Sequence, residues 1–322
     1  SSLRPCQAAP NACDAAYTRA YDIQGPGAAS PLAGQTVALQ GVVSGDFQGS
    51  ARLSGFFVQD PAGDNNSLTS DGVFVYVPSG NRLSGVDVSV GDVVRVEGQV
   101  KEYNGLTEID NVTALSQCGV GSVAPATVTL PEATDGDLER YEGMLVTLPE
   151  TLTVAQNYFQ GRFGQVTLSA DGRVFQPNNG QGGTLDDAIA RMLVLDDGSH
   201  WQNPSPVPYY AADGALRAGD TVSGLTGVLD QGRINAAQAD MPEFTPIFPY
   251  VHYRLHPTLP PVFQTANPRI PTSTAPAVGG EIRVAGFNVQ NYFTTPDQGP
   301  FPDGSPYDAE NTPRGADNPA EF

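Results

Sequence analysis

The feature that most constrains this chain is a recurrence. The text VGDVVRVEGQV, ending at Val100, returns as AGDTVSGLTGV, ending at Val228. Each copy is followed by a Gly-containing turn, Asn104-Gly105 in the first and Gln231-Gly232 in the second. Upstream, LAGQTVALQGVV (Leu32 to Val43) is paralleled by YEGMLVTLPETLTV (Tyr141 to Val154). Order and spacing are repeated even where identity is low, and that is the mark of one small unit present twice in tandem.

The unit is made of strands. In the first copy, Thr36 to Phe47, Leu53 to Asp60, Gly72 to Pro78, Asp92 to Tyr103 and Leu106 to Thr113 are rich in β-branched and aromatic residues and bounded by turn residues. Asn104-Gly105 is a strong type I′ hairpin signal, because both central residues must take positive φ. Five short strands in so short a span predict a small Greek-key barrel of the OB type. In the second copy, Gly164 to Phe175 and Arg191 to Gly198 supply the middle strands. The expected fold is therefore mainly β, with two tandem OB-like barrels at 33–118 and 138–242.

The remainder is sparse in regular structure. Residues 1–32 read as an irregular N-terminal segment with a strand fragment and turns, and 119–137 as a linker. Helix is limited to a turn or two before the second barrel and to Thr184 to Leu193, where Asp186 and Asp187 suit a helix N-terminus. Residues 243–280 are Pro-rich and read as a semi-rigid connector, with Phe244, Phe248, Tyr250, Tyr253 and Phe263 able to dock it on a barrel. Residues 281–322 then open a further domain.

Charge limits the partners. The chain carries 35 acidic and 16 basic residues, net −19, with Lys101 its single lysine. A surface so acidic repels polyanions, so the barrels by themselves are not expected to grip DNA. No apolar run approaches a membrane span. Cysteine is rare: Cys6, Cys13 and Cys118. A disulfide between Cys6 and Cys13, or from either to Cys118, would tie down the terminal segment, and one thiol is left over.

Two loops hold chemistry-bearing side chains. Asp60, Asp64, Asn66 and Asp71 fall within DPAGDNNSLTSDG, an oxygen density that suits Ca²⁺, although a solvated acidic turn is the plainer reading. In NYFQGRFG, Tyr158, Phe159, Arg162 and Phe163 interleave rings with a cation, as in loops that stack single-stranded bases. Closing the barrel core is the plainer role there. Trp201, the sole tryptophan, sits beside His200 in a long insertion that ends at Tyr209 and Tyr210.

The C-terminal stretch EIRVAGFNVQNYF (Glu281 to Phe293) reads as a buried strand that delivers the Asn288 amide beyond its apolar run. It is followed by an acidic Gly/Pro loop and by RGADNPAEF (Arg314 to Phe322). Together these resemble the opening of the catalytic domain in the secreted ExeM/NucH-type nucleases of the endonuclease/exonuclease/phosphatase superfamily. The resemblance covers about 40 residues, and the OB-like region before it is also similar to that family's non-catalytic part. It implies an α/β four-layer nuclease domain whose first strand ends in Asn288, at a metal and phosphate site using Mg²⁺ or Mn²⁺. It implies secretion by a bacterium, to the medium, the periplasm or the cell surface, and hydrolysis of extracellular DNA.

The metal-binding Glu and the catalytic His and Asp of that superfamily come after this point, whereas His200, His252 and His256 all precede it. The expectation is that these 322 residues, inactive alone, are the front of an enzyme whose partner is the rest of the nuclease polypeptide, which would hold the DNA. The alternative is a cleaved interaction module whose C-terminal strand pairs with another chain or with a second copy.

Overall fold

The computed structural model describes residues 13–134, 136–174, 184–234 and 251–266. All of them belong to one compact unit, Ser1–Pro268; a second unit, Arg269–Phe322, lies outside the described residues, and with it the strand ending at Asn288. The described chain is mainly β. Its first half is a closed barrel of β1 (Thr36–Phe47), β2 (Gly55–Gln59), β3 (Gly72–Tyr76), β4 (Asp92–Tyr103) and β5 (Leu106–Val120), in the order β1-β2-β3-β5-β4. The pair β3–β5 is parallel and the other neighbours are antiparallel.

The second half repeats that order. It contains β6 (Ala126–Thr127), β7 (Leu145–Gln156), β8 (Gln165–Ser169), β9 (Met192–Asp196), β10 (Thr221–Arg233), β11 (Val251–Pro257) and β12 (Phe263–Gln264). The seven-stranded sheet runs β12-β10-β11-β9-β8-β7-β6, and an added β10–β7 pairing closes five strands into a ring, β7-β8-β9-β11-β10. Here too the third and fifth strands of the ring, β9 and β11, are the parallel pair. Even the accessory pairing recurs: a parallel bridge from Thr18 reaches Leu39 of β1, and β6 lies parallel on β7.

Each ring has its own core. Leu39, Val43, Phe56, Val58, Val73, Val75, Val96 and Ile109 fill the first; Val146, Leu148, Leu152, Leu168, Leu195, Leu229 and Leu255 fill the second. Strand β2 is buried at every position because alternate residues point to opposite faces. Phe56 and Val58 enter the first core, while Phe57 joins Phe47, Phe74, Leu106 and Val228 in a separate cluster. Val228 belongs to β10, so this third cluster joins the two halves.

The Asn104-Gly105 turn forms as expected, with φ of 53° and 88°. Thr184 caps a helix, α3 (Leu185–Ala190), in a full capping box with Asp187. A 3-10 turn occupies Asp137–Tyr141. Three expectations change. The N-terminal YDIQ text is not a strand fragment but most of a short helix, α1 (Ala20–Gln24), which buries Ala20 and Ile23 in the first core. Gln231-Gly232 is no hairpin, since β10 runs through it, and part of the supposed connector is the fifth strand, β11. Proline at position 257 ends that strand without interrupting its ladder.

Candidate functional site

Cys13 and Cys118 are joined, with Cα atoms 5.5 Å apart. Cys6 lies outside the described residues. The bond fastens the N-terminal segment to the end of β5, and Arg95 assists by donating to the carbonyls of Ala15 and Ala16 at 2.9 and 2.7 Å.

In the acidic loop most side-chain oxygens serve the turn itself. Asp60 accepts from the Arg19 guanidinium at 2.9 Å and from Ala62 N–H at 3.0 Å. Asp64 accepts from Asn66 N–H at 2.8 Å and Thr69 Oγ1 at 2.9 Å, and Asn66 Oδ1 accepts from Leu68 N–H at 3.2 Å. Asp71 keeps one buried oxygen without a partner. Its carboxyl is pushed up to about 6 by burial and by the charges of Asp64 and Asp60. Among the described residues no three His, Cys, Asp or Glu are placed to hold a metal ion.

The rings of the second loop do not all close a core. One helical turn, α2 (Gln160–Phe163), sets Phe159 between Tyr158 and Phe163, with centroids 4.9 and 6.0 Å apart. Arg162 lies over Phe163 at 5.1 Å. Tyr158 is 82% exposed.

The densest charge cluster is one that the sequence reading did not single out. In β11 the side chains alternate: Tyr253 and Leu255 enter the second core, so His252, Arg254 and His256 face the other way. Arg254 stands opposite Asp230 in the β10–β11 register and binds it in a fork, Nε–Oδ1 at 2.9 Å and Nη2–Oδ2 at 2.7 Å. His256 Nε2 lies 2.9 Å from Asp230 Oδ2, and its Nδ1 lies 3.5 Å from Asp196 Oδ1. Asp196 is held further by Gln165 Nε2 at 2.7 Å and Gly198 N–H at 2.8 Å.

Burial alone would push the Asp230 carboxyl up, but Arg254 and His256 more than offset that and hold it well below the usual carboxylate range. Neighbouring Asp197 goes the other way, to about 6, through burial and the Asp196 charge. Phe47 and Phe57 of the first barrel cover the imidazole, with centroids 5.3 and 6.3 Å away. Gly198, at φ +68°, must remain glycine there, because a Cβ would stand 2.7 Å from the Phe47 ring. His256 is 0% exposed. The network is a packed junction between the two barrels.

A second buried acid lies at the same junction. Glu142 accepts from Thr107 N–H at 2.9 Å and Gln24 Nε2 at 3.3 Å, while its Oε2 has no partner. Burial and the charges of Glu139 and Glu102 push its carboxyl well above the ordinary range. An acid raised in the folded state adds stability below its unfolded value and loses it as pH rises through the folded one. Asp71 and Asp197 act in the same direction. The melting temperature is therefore expected to fall as pH rises from the ordinary carboxylate range through about 6, where Asp71 and Asp197 titrate, with Glu142 extending the fall upward. Glu142→Gln keeps the acceptor oxygen and removes the charge, so it should raise the melting temperature at the alkaline end and flatten that slope. A scan in which the variant melts below the parent at alkaline pH would show that Glu142 is stabilised as a carboxylate.

No family model matches the chain, and no curated protein matches it. A solved structure described as that of the hypothetical protein ygiW from E. coli is 21% identical and covers 27% of this chain and 77% of that chain, with a TM-score of 0.20. No helix among the described residues is long and apolar enough to cross a membrane.

Proposed function

We propose that this chain belongs to a secreted, divalent-metal-dependent nuclease, in which two OB-like barrels form a non-catalytic platform ahead of the hydrolytic domain. The observation that carries the reading is the strand text Ile282 to Phe293, ending its apolar run at Asn288, together with Arg314-Gly315-Ala316 and Glu321-Phe322 downstream. Two findings support it. The repeated ring order, with one parallel pair in each ring, is the order of a five-stranded Greek-key barrel. The Cys13–Cys118 bond suits an oxidising, extracellular compartment.

In this reading the substrate is extracellular DNA, cleaved by attack of an activated water on the phosphodiester. A bound Mg²⁺ or Mn²⁺ would neutralise charge developing on the phosphoryl and leaving oxygens. Asn288 would position the metal or the phosphate through its amide. The barrels keep His252 and His256 buried in the second of them, and the third histidine, His200, lies on a loop. They also supply no grip on DNA, since their charge is of the wrong sign.

Asn288→Ala in the native full-length protein should lower metal-dependent DNA cleavage by at least about tenfold, the scale of losing one oriented group in a preorganised site. The melting of the barrel unit should not change. Turnover within a factor of about two of the parent would remove Asn288 from the site.

A further inference from the structure

Beside Glu142 the two barrels meet backbone to backbone. A Cβ on Gly72 of β3 would stand 2.3 Å from the Gly143 carbonyl, and one on Gly143, at φ +74°, would stand 2.8 Å from Gly72 in return. A gap too narrow for a methyl group admits no water, so a side chain at this contact must find its partners in the protein. Glu142 is 0% exposed, and three parts of the first barrel converge on it. Gln24 of α1 donates from Nε2 to its Oε1 at 3.3 Å and to the Gly72 carbonyl at 2.7 Å. Thr107 of β5 donates its N–H to the same Oε1 at 2.9 Å. Ser70, ahead of β3, donates its hydroxyl to the Glu142 carbonyl.

The charges around this residue are of its own sign. From the second barrel, Glu139 faces it and accepts from the Tyr253 hydroxyl of β11 at 2.8 Å. From the first, Glu102 of β4 accepts from Ser30 N–H at 2.7 Å and from Thr107 Oγ1 at 2.9 Å. Thr107 thus anchors both carboxyls, Glu142 by its N–H and Glu102 by its hydroxyl, and each of the two keeps a buried Oε2 without a partner. Neither bond to the Glu142 side chain comes from a basic group. An ionised carboxylate needs donors on both oxygens, so a closed site with one oxygen unserved and two carboxyls beside it favours the protonated acid.

We propose that Glu142 is a proton-operated latch between the barrels. Protonated, it lets Gly72 and Gly143 close on each other; when it gives its proton to bulk water in alkaline medium, this part of the junction opens to hydrate the carboxylate. The apolar cluster of Phe47, Phe57, Phe74, Leu106 and Val228 has no charge to gain or lose and holds the rest of the junction, so the opening is local and not an unfolding. One proton leaves per opening, so the opening constant rises by up to about tenfold per pH unit above the ordinary carboxylate range.

Hydrogen exchange of the native protein reads this directly. Two amides donate across the junction, Thr107 to Glu142 and Leu145 to Gln59 Oε1 at 2.9 Å. Their protection factors, corrected for intrinsic exchange, should fall by at least about tenfold from pH 6 to pH 8. At pH 8 both should exchange at least about a hundredfold faster than the core amides of Val58 and Val166, and with little response to dilute denaturant. In Glu142→Gln the pH dependence should vanish. Glu139→Gln removes a facing charge and keeps an acceptor for Tyr253, so its fall should level off at lower pH; it carries the test if the first variant does not fold. Protection that ignores pH, junction amides that exchange only together with the core, or a fall unchanged in the variants would each overturn the latch.

Discussion

Asp230→Ala should destabilise the barrel unit by about 3–5 kcal/mol, the usual cost of removing one partner from a buried ion pair. The carboxylate is 1% exposed and meets two partners, the Arg254 fork and the His256 imidazole. Without it, Arg254 keeps a contact with Asp196 at 3.6 Å and a bond to the Arg233 carbonyl at 3.3 Å, with a side chain only 15% exposed. The loss should be visible as a lower denaturation midpoint. It should also appear as a weaker hold between the barrels, because His256 is what Phe47 and Phe57 pack against. Replacing Asp230 and Arg254 together by apolar residues of similar size should cost much less than either single change, since neither partner is then stranded.

Acid provides an independent check. A carboxyl held below its unfolded value contributes stability above about pH 4 that is lost as pH falls through the folded value. The Asp230 variant should therefore show a shallower acid limb than the parent. Additive costs for the single and double variants, or a loss below about 1 kcal/mol, would mean that the network does not hold the junction.

How much of this was legible follows from where each signal lies. The strands Thr36 to Phe47 and Asp92 to Tyr103 were bounded correctly because Gly, Pro and Asn-Gly punctuate them and their apolar runs are β-branched. The recurrence was legible in order and spacing, and the pairings β1-β2-β3-β5-β4 and β7-β8-β9-β11-β10 run in the same order. The fifth strand of the second ring was hidden by its surroundings. VHYRLHP alternates cleanly, but prolines on either side made it read as connector, and its polar face carries His and Arg in place of the Thr or Ser usual on a solvent face.

That polar face is the reason the buried network was missed. A period of two separates the faces of a strand but does not say whether the polar one meets water or a second barrel. Burial also needs tertiary neighbours: Asp196, Asp230 and His256 lie on three strands far apart in sequence and become a cluster only when the β10–β11 and β9–β11 registers are known. Glu142 is hidden for the same reason, since Thr107 and Gln24 reach it from the first half of the chain. The acidic loop shows the converse. Its oxygens are dense in sequence, yet folding turns most of them inward on its own N–H groups, on Thr69 and on Arg19.

Loss of the Cys13–Cys118 bond is the other change with a large expected effect. Its partners are 105 residues apart, and closing a loop of that length restricts the unfolded chain by about 4–5 kcal/mol in the chain-entropy picture, of which about 2–4 kcal/mol is usually realised. The folded side argues for the lower part of that range. The segment it anchors is also held by the Arg95 bonds, by Thr18 N–H to the Ala38 carbonyl at 2.7 Å, and by Ala20 and Ile23 in the first core. Each 1 kcal/mol displaces the melting temperature of a unit this size by about 2–4 °C, so a drop of about 4–12 °C is expected.

The leftover thiol decides how the comparison must be made. With Cys13 removed, Cys6 is free to pair with Cys118; with Cys118 removed, it is free to pair with Cys13. Cys13→Ser is therefore best measured in a Cys6→Ser background, where no substitute bridge can form. Cys6→Ser alone should leave the melting temperature unchanged. In the double variant the Thr18 amide should also exchange faster than the core amides of β1, because the segment is then no longer fastened at Cys13. A Cys6→Ser single variant that loses as much stability as the double would place the native bridge at Cys6 and not at Cys13.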